Sequence, residues 1–295
     1  MKFGSRIQAL FALLLSLSTI ARAQGPRRVL FVTPVDQNGQ PVAGLSADDF
    51  DVRELGDSCT IVRVDPANEP MRIVLLVDNS TAASRAVVDI RNGVQAFLDG
   101  LPADDEVALA TIAGQFRVRV QPTSDRQKLK DGASLIFPEN GSSPALVDGL
   151  VESDRRFLQR TERRWPVFVI VTTDGPQGVG IREEEFNRFA RDVVSRGVTA
   201  HAFVLFPRQR VALQMAEILA RSTGGEYATL AATTGLPDRL RALASRLADD
   251  HKRMAETYRV EYTSRLRNPT SEVAVVVNRP GTKVQVAPDR RKQNR

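Results

Sequence analysis

Two aspartates stand at positions where chemistry can be done. Asp78 follows the unbroken aliphatic run Ile73-Val74-Leu75-Leu76-Val77 and opens the stretch Asp78-Asn79-Ser80-Thr81-Ala82. Asp174 follows a second such run, Val167 to Val171, in the stretch Thr172-Thr173-Asp174-Gly175. Short, wholly apolar runs of this kind read as strands buried on both faces of a parallel sheet. Ligands of open α/β sheets gather beyond the carboxyl ends of the strands, so both carboxylates are expected at one sheet edge, far apart in sequence and close in space. Two like charges brought together raise each other's pKa unless a cation or hydrogen-bond donors lie between them, and a hard divalent ion would serve. Each residue also has a local reading. Asp174-Gly175 suits a tight turn, Ser80 or Thr81 suits the cap of a following helix, and Ser143 before Pro144 suits a cap-then-proline helix start.

The elements that must position these residues alternate. A helix is predicted over Val87, Ile90, Val94, Phe97, Leu98 and Leu101, stopped by Pro102, followed by strands at Val107 to Ile112 and Phe116 to Val120. A helix from Pro144 to Leu158, the strand Val167 to Val171 and a helix from Glu183 to Val194 come next. A strand Val198 to Leu205, a helix Val211 to Leu219, a short strand Tyr227 to Leu230 and a long helix carrying Leu236, Leu240, Leu243, Leu247 and Met254 complete the series. Strands alternating with helices give a doubly wound, mostly parallel α/β sheet flanked by helices. Before it lie short strands at Val29 to Val35, Phe50 to Glu54 and Thr60 to Val64, and a hinge at Asp65 to Pro70; after it lie Tyr258 to Tyr262, Val273 to Val277 and Val284 to Val286. These flanking strands are expected to form a small accessory β module, their pairing left open.

The ends bound the compartment. Lys2 and Arg6, the apolar segment Ile7 to Ile20, and Ala21-Arg22-Ala23 have the order of a secretory leader, and fourteen residues are too few to span a bilayer, which needs about 20. The expected organisation is a leader 1–23, an N-terminal β segment 24–70, an α/β domain 71–257, a C-terminal β segment 258–287 and a basic tail 288–295. Loss of Lys2, Arg6 and Arg22 lowers the net charge from +6 to +3, and the remaining bases are interspersed with acids, so no specific nucleic-acid role is indicated. Cys59 is the one cysteine, which excludes an intramolecular disulfide, and two histidines with one cysteine exclude a Cys/His zinc site. A glycine-rich phosphate loop is absent from Asp78 to Arg85, and no G-x-S-x-G elbow is present. His201 reads as a strand-face residue, His251 as part of the polar side of a long helix, and Trp165 as packing at a strand start.

An apolar strand followed by Asp78-x-Ser80, with a later apolar strand ending in Thr173-Asp174-Gly175, resembles the von Willebrand factor type A domain over about residues 71 to 250. Val42 to Val52 with Asp57, and Tyr258 to Val286, resemble the flanks of that domain in a bacterial exported family. The resemblance implies a metal-ion-dependent adhesion site holding Mg²⁺, Mn²⁺ or Ca²⁺, with Asp78, Ser80 and Asp174 as matching residues. Ala82 stands where the family has a second serine and Pro144 where it has a threonine, so two of three direct hydroxyl ligands are missing; Ser143 or Thr81 are the candidates to substitute. The expected function is an exported protein-binding module with a degenerate adhesion site and no enzymatic activity. Its partner is another protein, engaged through an acidic residue. It is expected to be secreted or periplasmic, with cell-surface association included and no membrane span after the leader. The competing expectation is a scaffold component of a cell-envelope assembly with a vestigial, metal-free site.

Overall fold

The computed structural model describes residues 25–159, 163–176, 183–208, 211–268 and 272–288. The expected leader 1–23 and, apart from Pro288, the expected tail 288–295 lie outside these residues. In chain order the strands are β1 (Arg27–Val35), β2 (Phe50–Glu54), β3 (Asp57–Ser58), β4 (Thr60–Pro66), β5 (Met71–Val77), β6 (Glu106–Thr111), β7 (Arg117–Thr123), β8 (Trp165–Thr173), β9 (Thr199–Leu205), β10 (Tyr227–Leu230), β11 (Tyr258–Thr263), β12 (Val273–Val277) and β13 (Lys283–Pro288). The helices are α1 (Val87–Gly100), α2 (Arg126–Ser134), α3 (Leu146–Ser153), α4 (Glu183–Ser195), α5 (Val211–Ser222) and α6 (Leu236–Ala255).

The central sheet has the order β10-β9-β8-β5-β6-β7. All its neighbours are parallel except β6 and β7. The aliphatic run of β5 explains its central place: Ile73, Leu75 and Val77 pack under α1, α2 and α6, while Val74 and Leu76 pack under α3, α4 and α5. Period-two alternation thus feeds two separate cores, and a strand with a core on each side has no polar face to show. The chain winds outward from β5 in one direction through β6 and from β8 in the other through β9, so the strand order reverses between β5 and β8. A doubly wound sheet opens a crevice at that point.

The terminal segments build the accessory module as two antiparallel sheets, β13-β1-β11-β4 and β12-β2-β3. Leu30, Val32, Phe50, Val52, Tyr258, Val260, Tyr262, Val275 and Val277 fill the space between them. Glu54 is 2% exposed within this core. Its carboxylate accepts from the Tyr262 hydroxyl at 2.9 Å, from the Ser264 hydroxyl at 2.7 Å and from the Arg265 N–H at 3.2 Å. The module meets the α/β domain where Phe31 stacks on Trp165 with ring centroids 4.9 Å apart.

Three local expectations change. The hinge is shorter than expected, because Asp65 and Pro66 still pair with β11; β4 lies at a sheet edge, where proline's missing N–H leaves no gap in a ladder. Helix α2 carries only two buried side chains, Leu129 and Ala133, too few to give a periodic signal. Helix α3 starts two residues after Pro144, at Leu146, with Ala145 as its N-cap, so Ser143 is not the cap. Its far end widens into a π-helical turn over Asp154–Leu158, where buried Asp154 pairs with Arg196 at 2.7 Å.

Candidate functional site

The crevice between β5 and β8 brings both aspartates to one place, each fully buried. Asp78 continues β5, its backbone N–H donating to the Val171 carbonyl at 2.8 Å. Its Oδ1 accepts from the Ser80 N–H at 2.8 Å. Its Oδ2 accepts from the Thr173 N–H at 3.0 Å and from the Thr173 hydroxyl at 2.5 Å. The Asp78 carboxylate therefore ties the loop after β5 to the end of β8. Asp174 points to a different element. Its Oδ2 accepts from the Arg208 N–H at 2.6 Å and its Oδ1 from the Leu213 N–H at 3.4 Å. Leu213 lies in the first turn of α5, so the carboxylate faces the positive end of that helix dipole.

Ser80 precedes a short 3₁₀ segment, Thr81–Ala86, that leads into α1, and its side chain makes no capping bond. The Ser80 hydroxyl is buried and has no hydrogen-bond partner among the described residues. Ser143 contributes its carbonyl to Gly114 N–H at 2.8 Å and stands at the crevice wall. The loops at Ser80 and at Ser143 are joined, since Thr81 N–H donates to the Ser142 carbonyl at 3.3 Å. Ala82 and Pro144 converge on Gly175. A Cβ on Gly175 would stand 2.9 Å from Ala82 Cβ, 3.3 Å from Thr173 Oγ1 and 3.9 Å from Pro144 Cδ. Carbon thus fills two places beside Asp174 where the resemblance calls for hydroxyl oxygen.

Above this floor opens a cleft of about 470 Å³. Thr81, Ser84, Ser142, Ser143, Arg85 and Arg208 are among the residues that line it. Arg85 lies over the Phe206 ring, Cζ 3.8 Å from the centroid. Phe206 has φ 53°, a left-handed backbone that costs a non-glycine residue about 1 kcal/mol or more. Phe206 lines the cleft, and the cation–π contact holds Arg85 against its ring. The sequence placed Asp78 and Asp174 together but missed Thr173, Phe206 and Arg208. Arg208 was within reach of the same reasoning, since it follows the end of β9, the next parallel strand.

A family model described as the von Willebrand factor type A domain matches residues 73–177. Over these residues the chain is similar to the von Willebrand factor type A domain, and its six-stranded sheet shares that fold. That family is one of protein-interaction modules. No curated protein matches the sequence. Solved structures match it as a fold. The von Willebrand factor type A protein from Catenulispora acidiphila aligns with a TM-score of 0.54 at 10% identity, over 91% of this chain and 74% of that one. The pilus adhesin SpaC of Lactobacillus rhamnosus GG aligns with a TM-score of 0.51 at 13% identity, over 73% of this chain and 36% of that one. The conserved hypothetical protein BatB from Bacteroides thetaiotaomicron aligns with a TM-score of 0.50 at 15% identity, over 63% of this chain and 99% of its own length. No helix among the described residues is long and apolar enough to cross a membrane.

Proposed function

We propose that the chain is an exported protein-binding module that receives an acidic segment of its partner in the cleft between Arg85 and Arg208, without a metal ion. The observation that carries this reading is the cleft's chemistry. Two exposed arginines and four hydroxyl-bearing residues line the cleft, while the carboxylates beneath accept from backbone N–H groups. In a metal-dependent adhesion site the ion supplies the positive charge that meets a partner's carboxylate. Here arginine supplies it, and a guanidinium binds a carboxylate through two parallel hydrogen bonds. The residues fit an ion poorly: Ala82 and Pro144 offer carbon, Asp78 and Asp174 already accept from the protein, and divalent affinity follows ligand number and geometry. Binding is proposed rather than turnover because, among the described residues, the rim carries hydroxyl residues and arginines with no acid–base pair beside them. Export rests on the leader-like order of residues 1–23.

A second reading keeps the ion, and one observation favours it: the buried Ser80 hydroxyl has no partner among the described residues. Thermal unfolding separates the two. A chain first stripped of transition metal is expected to melt at the same temperature in EDTA, Mg²⁺ and Ca²⁺. The double variant Ala82→Ser, Pro144→Thr is expected to gain an ion-dependent rise, since a ligand at 100 times its Kd stabilises by about 2.7 kcal/mol. Stabilisation of the unmodified chain by one ion, lost in Asp78→Ala, would overturn the metal-free reading. The partner is sought by affinity capture from envelope extract at low salt. Species retained by the chain and released by the charge-reversed variant Arg85→Glu, Arg208→Glu identify it; equal retention by both would sink the cleft as the docking site.

A further inference from the structure

At the opposite end of the sheet, the loop between α1 and β6 holds Asp104 and Asp105 against His251 of α6. One oxygen from each carboxylate and one nitrogen of the imidazole lie within 4.8 Å of one another. Asp105 is fully buried, and its Oδ1 accepts from the Met71 N–H at 2.7 Å. Its other oxygen, Oδ2, has no hydrogen-bond partner among the described residues, and neither has His251 Nδ1. A buried carboxylate oxygen left without a donor is costly, and a native structure ordinarily gives it one.

The spacing of imidazole and carboxylate suits two ligands of one ion. His251 Nδ1 stands 3.5 Å from Asp105 Oδ1, at the outer limit of a hydrogen bond. Two ligands of one tetrahedral ion, each about 2.0–2.1 Å from the metal, are separated by about 3.4 Å. Asp104 is exposed and can swing toward the same point, while Asp105 and His251 are held by their elements. Nearby Arg126 uses its guanidinium on backbone carbonyls, donating to Asp105 O at 3.1 Å and to Pro102 O at 2.5 Å. It secures the loop without occupying the carboxylate.

We infer that Asp104, Asp105 and His251 form a binding site for a divalent transition-metal ion of the zinc class. One imidazole nitrogen and two carboxylates, with water in the fourth position, make a set that suits zinc or cobalt better than the all-oxygen sets of magnesium or calcium. Counting cysteines and histidines could not exclude such a site, because carboxylates complete it. The ion joins the loop before β6, the first residue of β5 through the Asp105–Met71 bond, and the last turns of α6. It is a structural staple at the pole where α6 passes into β11, far along the strands from the cleft.

The test uses the untagged full chain, stripped with EDTA and dialysed, and titrated with Zn²⁺ by calorimetry and with Co²⁺ by visible absorption. One equivalent is expected to bind, with the intense visible bands of tetrahedral Co²⁺ and a raised melting temperature. His251→Gln and Asp104→Asn are each expected to weaken binding at least tenfold. Asp104 is exposed, so its variant keeps the fold and the experiment readable. Asp78→Ala is expected to bind as the unmodified chain does, which separates this site from the cleft. Absence of binding, binding unchanged in both cluster variants, or binding lost only in Asp78→Ala would each overturn the assignment.

Discussion

Buried titratable residues give the chain its own pH signature. His201 on β9 is 8% exposed, and its Nδ1 accepts from the Glu226 N–H at 3.0 Å. Burial, with Arg246 nearby, lowers its pKa from 6.5 to about 4. The folded state therefore resists a proton that the unfolded chain accepts. The stability contributed by neutral His201 is complete above pH 6.5 and is lost as pH falls from there toward 4. The loss is on the order of 3 kcal/mol. Chemical denaturation of the chain and of His201→Gln at pH 7 and pH 4.5 checks this: the stability difference between them should shrink at the lower pH, and parallel curves would refute it. Glu54 acts at lower pH, below its ordinary value of 4.5. Against its desolvation, hydrogen bonds from Ser264, Tyr262 and Arg265 hold its carboxyl below the usual range, so its contribution is also lost on acidification. Single residues were legible in sequence when strand ends displayed them, as Asp78 and Asp174 were. Asp105 and His251 were not, because a buried carboxylate beside an exposed one reads as a polar turn and a helical histidine reads as a solvated face. Their meeting is a matter of tertiary packing.

Elements with a strong apolar period were read nearly to the residue. Tyr227–Leu230 and Val273–Val277 coincide with the expected spans, and α1 ends before Pro102 as expected. Helix α2, with Leu129 and Ala133 as its buried side chains, was not foreseen, and the start of α3 was expected two residues early. Where an element's place is set by close approach rather than by a broad apolar face, its sequence carries little period. Helix α3 illustrates this, since Gly149 lets it lie close on the sheet: a Cβ there would stand 2.4 Å from Ile112 Cγ2. Gly149→Ala is expected to destabilise the protein by about 1–3 kcal/mol despite alanine's better helix propensity. A double-mutant cycle with Ile112→Ala reads the cause, because removing the clashing methyl should make the pair less destabilised than the sum of the single variants. Strict additivity would show that the close approach is not what Gly149 serves. At the end of the same helical segment, Arg196→Leu leaves the 1%-exposed Asp154 carboxylate without its cation, and a loss of about 3–5 kcal/mol is expected in the same denaturation experiment.

For the molecule as a whole, the two poles of the sheet divide the work. The cleft at one end presents cations and hydroxyls on loops, and the cluster at the other fastens α6 where the chain turns back into the accessory module. The alternation of strands and helices gave away the α/β architecture, but the partners of the terminal strands were not legible, because short alternating strands carry no address for one another. The structure supplies it: β1 lies between β11 and β13. Arg27 to Val32 pair with residues 258 to 263, and Leu30 to Val35 with residues 283 to 288. The first strand of the described chain thus waits for the last ones to be made. During synthesis, Val29, Leu30, Phe31 and Val32 are an open apolar edge with no mate while more than two hundred residues follow. Long-range pairing of this kind is slow and leaves the nascent chain prone to aggregate, so the half-made protein is a client for a holding chaperone in a way that the finished one is not.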